Sequence, residues 1–230
     1  MNPIIFDQFK HPKFNGTYYH ASSNSSPIFP RLIGEEKTDI CIIGGGLTGI
    51  SSALNLAETG QAVTLVEGMR IGSGASGRNG GQIVQGYSCD IETMIKTVGQ
   101  EKSALLWSMA REAIEELDRR INLHEISCAR QSGYVFAASN NSQFKLLKRI
   151  NEKLKNIFNY ESTSVLDQNT IKKWVKTESY VGGLLDYGSG HFHSLRYLHG
   201  LTEAAKNIGV QFFENSTVIQ ISGEDTITVK

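Results

Sequence analysis

A chain of 230 residues is long enough for one large or two small domains with a proper core. Lysine plus arginine and aspartate plus glutamate stand at 23 each, and the resulting net charge of zero argues against a dedicated nucleic-acid or anionic-membrane surface. No apolar run reaches transmembrane length, residues 1–10 lack the apolar core of a signal peptide, and three scattered cysteines (Cys41, Cys89, Cys128) form neither a redox pair nor a metal-ligand set, which fits a reducing cytoplasm.

All four prolines lie in the first thirty residues and, with the serine-rich stretch 22–26, predict an extended arm over 1–36 that Tyr18 and Tyr19 could anchor. The run Asp39, Ile40, Cys41, Ile42, Ile43 predicts a buried strand with Cys41 as a small core residue. Gly44, Gly46 and Gly49 follow at G-x-G-x-x-G spacing, and Leu47, Ile50, Leu54 and Ala57 make one apolar helix face. Gly44 permits the tight turn, Gly46 lets a pyrophosphate approach, and Gly49 lets the helix lie close to the strand. The helix start, from Leu47 and Thr48 onward, offers free N–H groups and about half a positive charge to a phosphate. Gly60 ends the helix, and residues 62–66 predict a second strand ending at Glu67. An acid there grips the hydroxyls of an adenosine ribose and repels a 2′-phosphate, which argues against NADP. The plainer alternative is a strand–helix–strand unit with an incidental acid.

Twelve of the 23 glycines fall between Gly44 and Gly86, and that density predicts backbone pressed against a ligand. In the run RIGSGASGRNGGQ (70–82), successive N–H groups can form an anion nest with Arg78 as a charged partner; the plainer reading is a flexible surface loop. A dehydrogenase that binds NAD alone has no obvious need for this second glycine-rich segment. A longer cofactor that threads onward does.

With the GASGRNGGQ run, the glycine spacing and Glu67 resemble the FAD-dependent amine and amino-acid oxidoreductases of the D-amino-acid oxidase superfamily, and within it the γ-glutamylputrescine oxidoreductases. TYYHAS (17–22), GLLDYGSGHFHSLRY (183–197) and FFENSTVIQI (212–221) resemble family segments in the same order; Ser194 stands where the family pattern usually has proline. The resemblance implies FAD lined by Gly44, Gly46, Leu47, Thr48, Gly49, Glu67, Gly74, Ala75, Ser76, Arg78, Asn79, Gly80, Gly81 and Gln82, with the backbone of Val218 at the adenine. It implies oxidation of an amine C–N bond, with hydride transfer to the flavin, hydrolysis of the imine and reoxidation by oxygen. No catalytic side chain is assigned, since no acid/base or nucleophile constellation stands out.

Residues 100–123 predict a long helix with Leu106, Ala110, Ala113, Leu117 and Ile121 buried and Glu115/Arg119 and Glu116/Arg120 paired on the wet side. A strand follows at 133–138, then a basic helix at 143–157 with a solvated lysine face. Leu198, Leu201, Ala205 and Ile208 mark another helix, capped by Gly209 and followed by a strand at 210–213, so the architecture is α/β with a doubly wound parallel sheet. His191 and His193 lack a third metal ligand nearby and read as polar loop residues, so no metal is expected. Residues 218–221 and 226–229 predict a hairpin without a third strand, whose exposed edge could recruit a second copy. The expected organisation is an arm (1–36), a Rossmann-like FAD-binding segment (37–99), a partial α+β cap domain (100–185) and a return segment (186–230), ending before the family's later segments. A small amine is the expected substrate. A non-catalytic FAD-binding fragment or hetero-complex subunit is the alternative, and an NAD-dependent dehydrogenase the third.

Overall fold

Strand β1 (Ile4–Ile5) and the short helix α1 (Tyr18–Ser22) come first in the chain; the computed structural model describes residues 4–5, 16–23 and 27–230. The part of the expected arm at 1–3, 6–15 and 24–26 lies outside the described residues. Strand β2 (Ile40–Ile43), helix α2 (Leu47–Glu58) and strand β3 (Val63–Val66) then fold from the two apolar runs and the helical stripe between them. β2 and β3 pair in parallel, from Ile40 opposite Val63 to Ile43 opposite Val66. All four residues of β3 are buried, whereas in β2 Cys41 and Ile43 are exposed. The expected fully buried strand with Cys41 in the core is therefore corrected. β2 is the sheet edge, and Ile42 faces Gly49 of α2 while its neighbours point the other way.

After a single 3-10 turn at Ala75–Gly77 come β4 (Gln82–Ile83), α3 (Ile91–Val98), α4 (Gln100–Leu123), β5 (Gln131–Ala138), α5 (Asn141–Phe158), β6 (Thr163–Asp167), α6 (Gln168–Ile171) and β7 (Gly182–His191). Residues 81–119 and 129–192 form one compact unit; the described residues up to 80, with 120–128 and 193–230, form the other. In the former, β5 runs antiparallel along one side of β7, and β4 and β6 run antiparallel along its other side. Met94, Trp107, Leu154, Phe158, Tyr160 and Leu184 make its main core. The inward line of α4 runs through the buried Ser103 and Trp107 and the half-buried Ala110, Ile114 and Leu117, because the Trp107 ring takes the core position; Ala113 is exposed, which corrects the expected stripe. Arg119 pairs with Glu116 at 2.6 Å, while Arg120 is buried and reaches Asn55 (2.6 Å) and Glu58 (3.5 Å) rather than lying on the wet side.

The buried Asp186 of β7 accepts from Tyr160 Oη at 2.5 Å and from Ser189 Oγ at 2.6 Å. Burial, then Asp186, pushes the Tyr160 phenol above its ordinary range. A folded-state pKa above the unfolded value contributes stability that is complete below the unfolded tyrosine value, about 10, and is lost as pH rises beyond it. Denaturant melts should therefore show stability falling above that pH, and Tyr160→Phe should flatten the fall. An unchanged alkaline slope in the variant would refute the assignment.

Helix α7 (Ser194–Asn207), β8 (Gln211–Phe213), β9 (Gln220–Ser222) and β10 (Thr228–Val229) complete the other unit. β8 pairs in parallel with β3, giving the order β2-β3-β8, and α7 packs on α2. Ser194 occupies the first helical position, where proline is also favoured, so either residue starts the helix. His193 is buried as the cap: Nδ1 accepts from Arg196 N at 3.2 Å, and Nε2 lies 3.0 Å from Ser22 Oγ. Burial and the Arg196 charge lower its pKa. His191 ends β7, so both histidines sit at element ends rather than in the predicted loop. The hairpin expected without a third strand has one: β9 pairs with β10 on one side and with β1 on the other, Ile4 opposite Ile221.

Candidate cofactor site

The turn between β2 and α2 is shaped by its glycines. Gly44 has φ +102°, a conformation that side chains disfavour, and its N–H donates to Val66 O at 2.8 Å, carrying the chain across the end of β3. A Cβ at Gly49 would lie 2.0 Å from the Gly44 carbonyl oxygen, so glycine is what allows α2 to seat on the strand. The first amides of the helix have no intrahelical acceptor and carry its positive dipole end. Leu47 N donates to Ser76 Oγ at 3.0 Å, which places the 3-10 turn at the mouth of α2; a Cβ at Gly46 would come within 3.0 Å of the same hydroxyl. Thr48 is exposed beside it.

Glu67 stands at the end of β3, next to this turn. Its Oε2 accepts from Gly45 N at 2.7 Å and its Oε1 from Met69 N at 2.8 Å. Each oxygen keeps a second lone pair for a hydroxyl. Thr217 Oγ1 lies 3.4 Å from Gly68 O, so the half-buried Val218 follows directly on a residue that touches the turn after Glu67.

The glycine-rich run divides into two parts. Gly72 and Gly77 are buried, and a Cβ on either would strike Leu195 of α7, at 2.6 Å and 2.9 Å. Part of the glycine density therefore serves packing against the protein itself, which corrects the expectation that it all meets a ligand. Gly74, Ala75, Asn79 and Gly80 are exposed. Arg78 Nε donates to Ser73 O at 2.7 Å and Asn79 Nδ2 to Ser76 O at 3.0 Å, closing the loop on itself. Gly81 and Gln82 belong to the other unit, where Phe192 N donates to Gly81 O and Gln82 pairs opposite His191.

Sequence reasoning passed over Glu214, just after β8. Its side chain is 1% exposed, accepts from Ile71 N (2.8 Å) and Phe29 N (3.3 Å), and forms an ion pair with Arg70, whose Nε lies 2.8 Å from Oε2. An acid following the apolar run at 210–213 was the available signal, but its partners lie more than 140 residues upstream.

A parallel sheet, a glycine turn into a helix N-terminus and an acid at the end of the next strand define a dinucleotide-binding α/β protein, and the side-chain-free turn beside open amides suits a pyrophosphate. The chain belongs to the DAO family of FAD-dependent oxidoreductases, whose model matches residues 39–230. It is 40% identical over 205 residues to the γ-glutamylputrescine oxidoreductase of Escherichia coli, a match covering 89% of this chain and 48% of that protein. The chain spans about half the length of the curated relatives it matches. Its fold is similar to L-amino acid deaminase from Proteus myxofaciens (TM-score 0.70, 19% identity, 87% of this chain and 43% of that one). It is also similar to L-α-glycerophosphate oxidase from Mycoplasma pneumoniae, determined with FAD bound (TM-score 0.66, 23% identity, 85% and 50%). The NAD-dependent reading gives way to FAD.

Proposed function

We propose that this chain forms the cofactor-holding part of a cytoplasmic FAD-dependent amine oxidoreductase. Its substrate would be γ-glutamylputrescine or a related polyamine or amino acid, and its electron acceptor oxygen. The observation that carries the reading is the Gly44–Gly49 turn bonded to both Glu67 and Ser76. The amides of Thr48 and Gly49 would hold the pyrophosphate, with Leu47 N bonded to Ser76 Oγ beside them, Glu67 the adenosine ribose and the backbone of Val218 the adenine. The exposed Gly74, Ala75, Asn79 and Gly80, with Ser76 and Arg78, would follow the cofactor onward. When bound, FAD supplies the hydride acceptor; the chain's own residues bind and orient it. The test is a flavin titration of the purified protein, followed by a peroxide assay with γ-glutamylputrescine, putrescine and amino acids. Saturable FAD binding with peroxide from none of them would favour a non-catalytic FAD-binding subunit.

Glu67→Ala removes acceptors for charge-assisted bonds worth about 1.5–3 kcal/mol, so FAD affinity should drop roughly ten- to a hundred-fold in that titration. Unchanged affinity would return Glu67 to a purely structural role on Gly45 and Met69. A further expectation concerns attachment. Between Met69 and Ser88 there is no histidine or cysteine to form a covalent link, so acid precipitation should release all the flavin. A yellow pellet yielding a flavin-bearing peptide by mass spectrometry would overturn this.

A further inference from the structure

We propose that Glu214 and the segment 27–32 form a clamp that positions the cofactor turn from behind; the inference rests on the FAD reading above. The segment precedes the family-matched region, which begins at residue 39. It is nevertheless bound at several points. Arg70 Nη2 donates to Pro27 O at 3.1 Å, Phe29 N to Glu214 Oε2 at 3.3 Å, Glu214 N to Pro30 O at 3.0 Å and Leu32 N to Ser216 Oγ at 2.9 Å. The Phe29 ring lies 4.9 Å from that of Phe212 in β8.

From Glu214 the connection to the turn is continuous. Its Oε1 accepts from Ile71 N at 2.8 Å, and Gly72 N donates to Gly45 O at 3.2 Å. The Ile71 side chain fills the space where a Gly45 Cβ would stand, 2.7 Å away. Gly45 N then donates to Glu67 Oε2, while Ser216 N and Asn215 N return to Glu67 O and Met69 O at 2.9 and 2.8 Å. Each end of the Gly45 peptide unit is thus held by a group tied to the 214–216 stretch. Glu214 touches no candidate cofactor residue directly, so it is a positioning residue. The segment 27–32 supplies a backbone N–H to its carboxylate and takes its own N–H in return, which fixes its place.

The test compares wild type, Glu214→Gln and Phe29→Ala by amide hydrogen exchange without ligand and by FAD titration. Glu214→Gln keeps the shape but loses the charge for Arg70. Phe29→Ala leaves Glu214 intact and loosens the segment. Glu214→Gln should speed exchange at Ile71, Gly72 and Gly45 on the order of ten-fold and weaken FAD by a similar factor, with β5 and β7 unaffected. Phe29→Ala should give a smaller change at the same amides. A lowered melting temperature with unchanged exchange at these three amides, or faster exchange with unchanged FAD affinity, would overturn the clamp. A wild-type chain that takes up no FAD would overturn the cofactor reading alone, and the exchange comparison would still decide whether the clamp holds the turn.

Discussion

Gly49→Ala should lower the melting temperature of the ligand-free protein by several degrees and weaken FAD binding roughly ten- to a hundred-fold. A Cβ at this position would lie 2.0 Å from the Gly44 carbonyl oxygen, 3.3 Å from its carbon and 3.4 Å from Ile42 Cγ2. A backbone oxygen cannot swing aside as a flexible side chain can, so α2 must lift by roughly an ångström to reach van der Waals contact. Overpacking of this kind costs about 1–3 kcal/mol, and in a chain of this size each kcal/mol lowers the melting temperature by about 2–4 °C. The same shift moves the amides of Leu47 and Thr48 away from the turn and strains the bond from Leu47 to Ser76. Gly74→Ala is the control for stability, because a Cβ there meets nothing within 4 Å. Thermal melts without ligand and flavin titration check both effects. A Gly49→Ala protein that melts and binds like wild type would refute the close-packing account.

Glu214→Ala should be the most destabilising single change proposed here, at about 3 kcal/mol. Removing one partner of a buried ion pair costs about 3–5 kcal/mol, and the Arg70 side chain, 30% exposed, recovers some hydration, which points to the lower end. The loss also strips the acceptor from the N–H groups of Ile71 and Phe29. By contrast Glu115→Ala, which breaks an exposed pair with Arg111 at 3.4 Å, should change stability by less than about 1 kcal/mol. Denaturant unfolding measures both. Equal midpoints for the two variants would mean that the Glu214 network contributes nothing special.

These two positions also mark how far the sequence could be read. The nucleotide unit was legible because its signals are local: apolar runs, a helical stripe and glycines at fixed spacing within thirty residues. β7 was not recognised as a strand, because four of its ten residues are glycine, which weakens strands taken alone. Its glycines answer to neighbours distant in sequence: a Cβ at Gly188 would meet Tyr160 Oη at 2.1 Å, and one at Gly190 the Gln131 carbonyl at 2.0 Å. Glu214 and Arg120 were illegible for the same reason. An acid or arginine reads as surface until the partners that bury it converge. The α4 stripe was misplaced by one position at Ala113, because small residues leave a helix face ambiguous until Trp107 fixes it.

The pairing of β1 with β9 carries a consequence for the order of synthesis. It joins positions 4 and 221, whereas β9 and β10 are neighbours in sequence and can pair as soon as both exist. Closing so long a loop is entropically costly, and two residues of ladder return little for it. On the ribosome Ile4 and Ile5 must therefore wait unregistered until position 221 has been made. Translation pauses before position 221 would prolong that interval without touching the nucleotide turn, whose two strands and helix are already complete by residue 67.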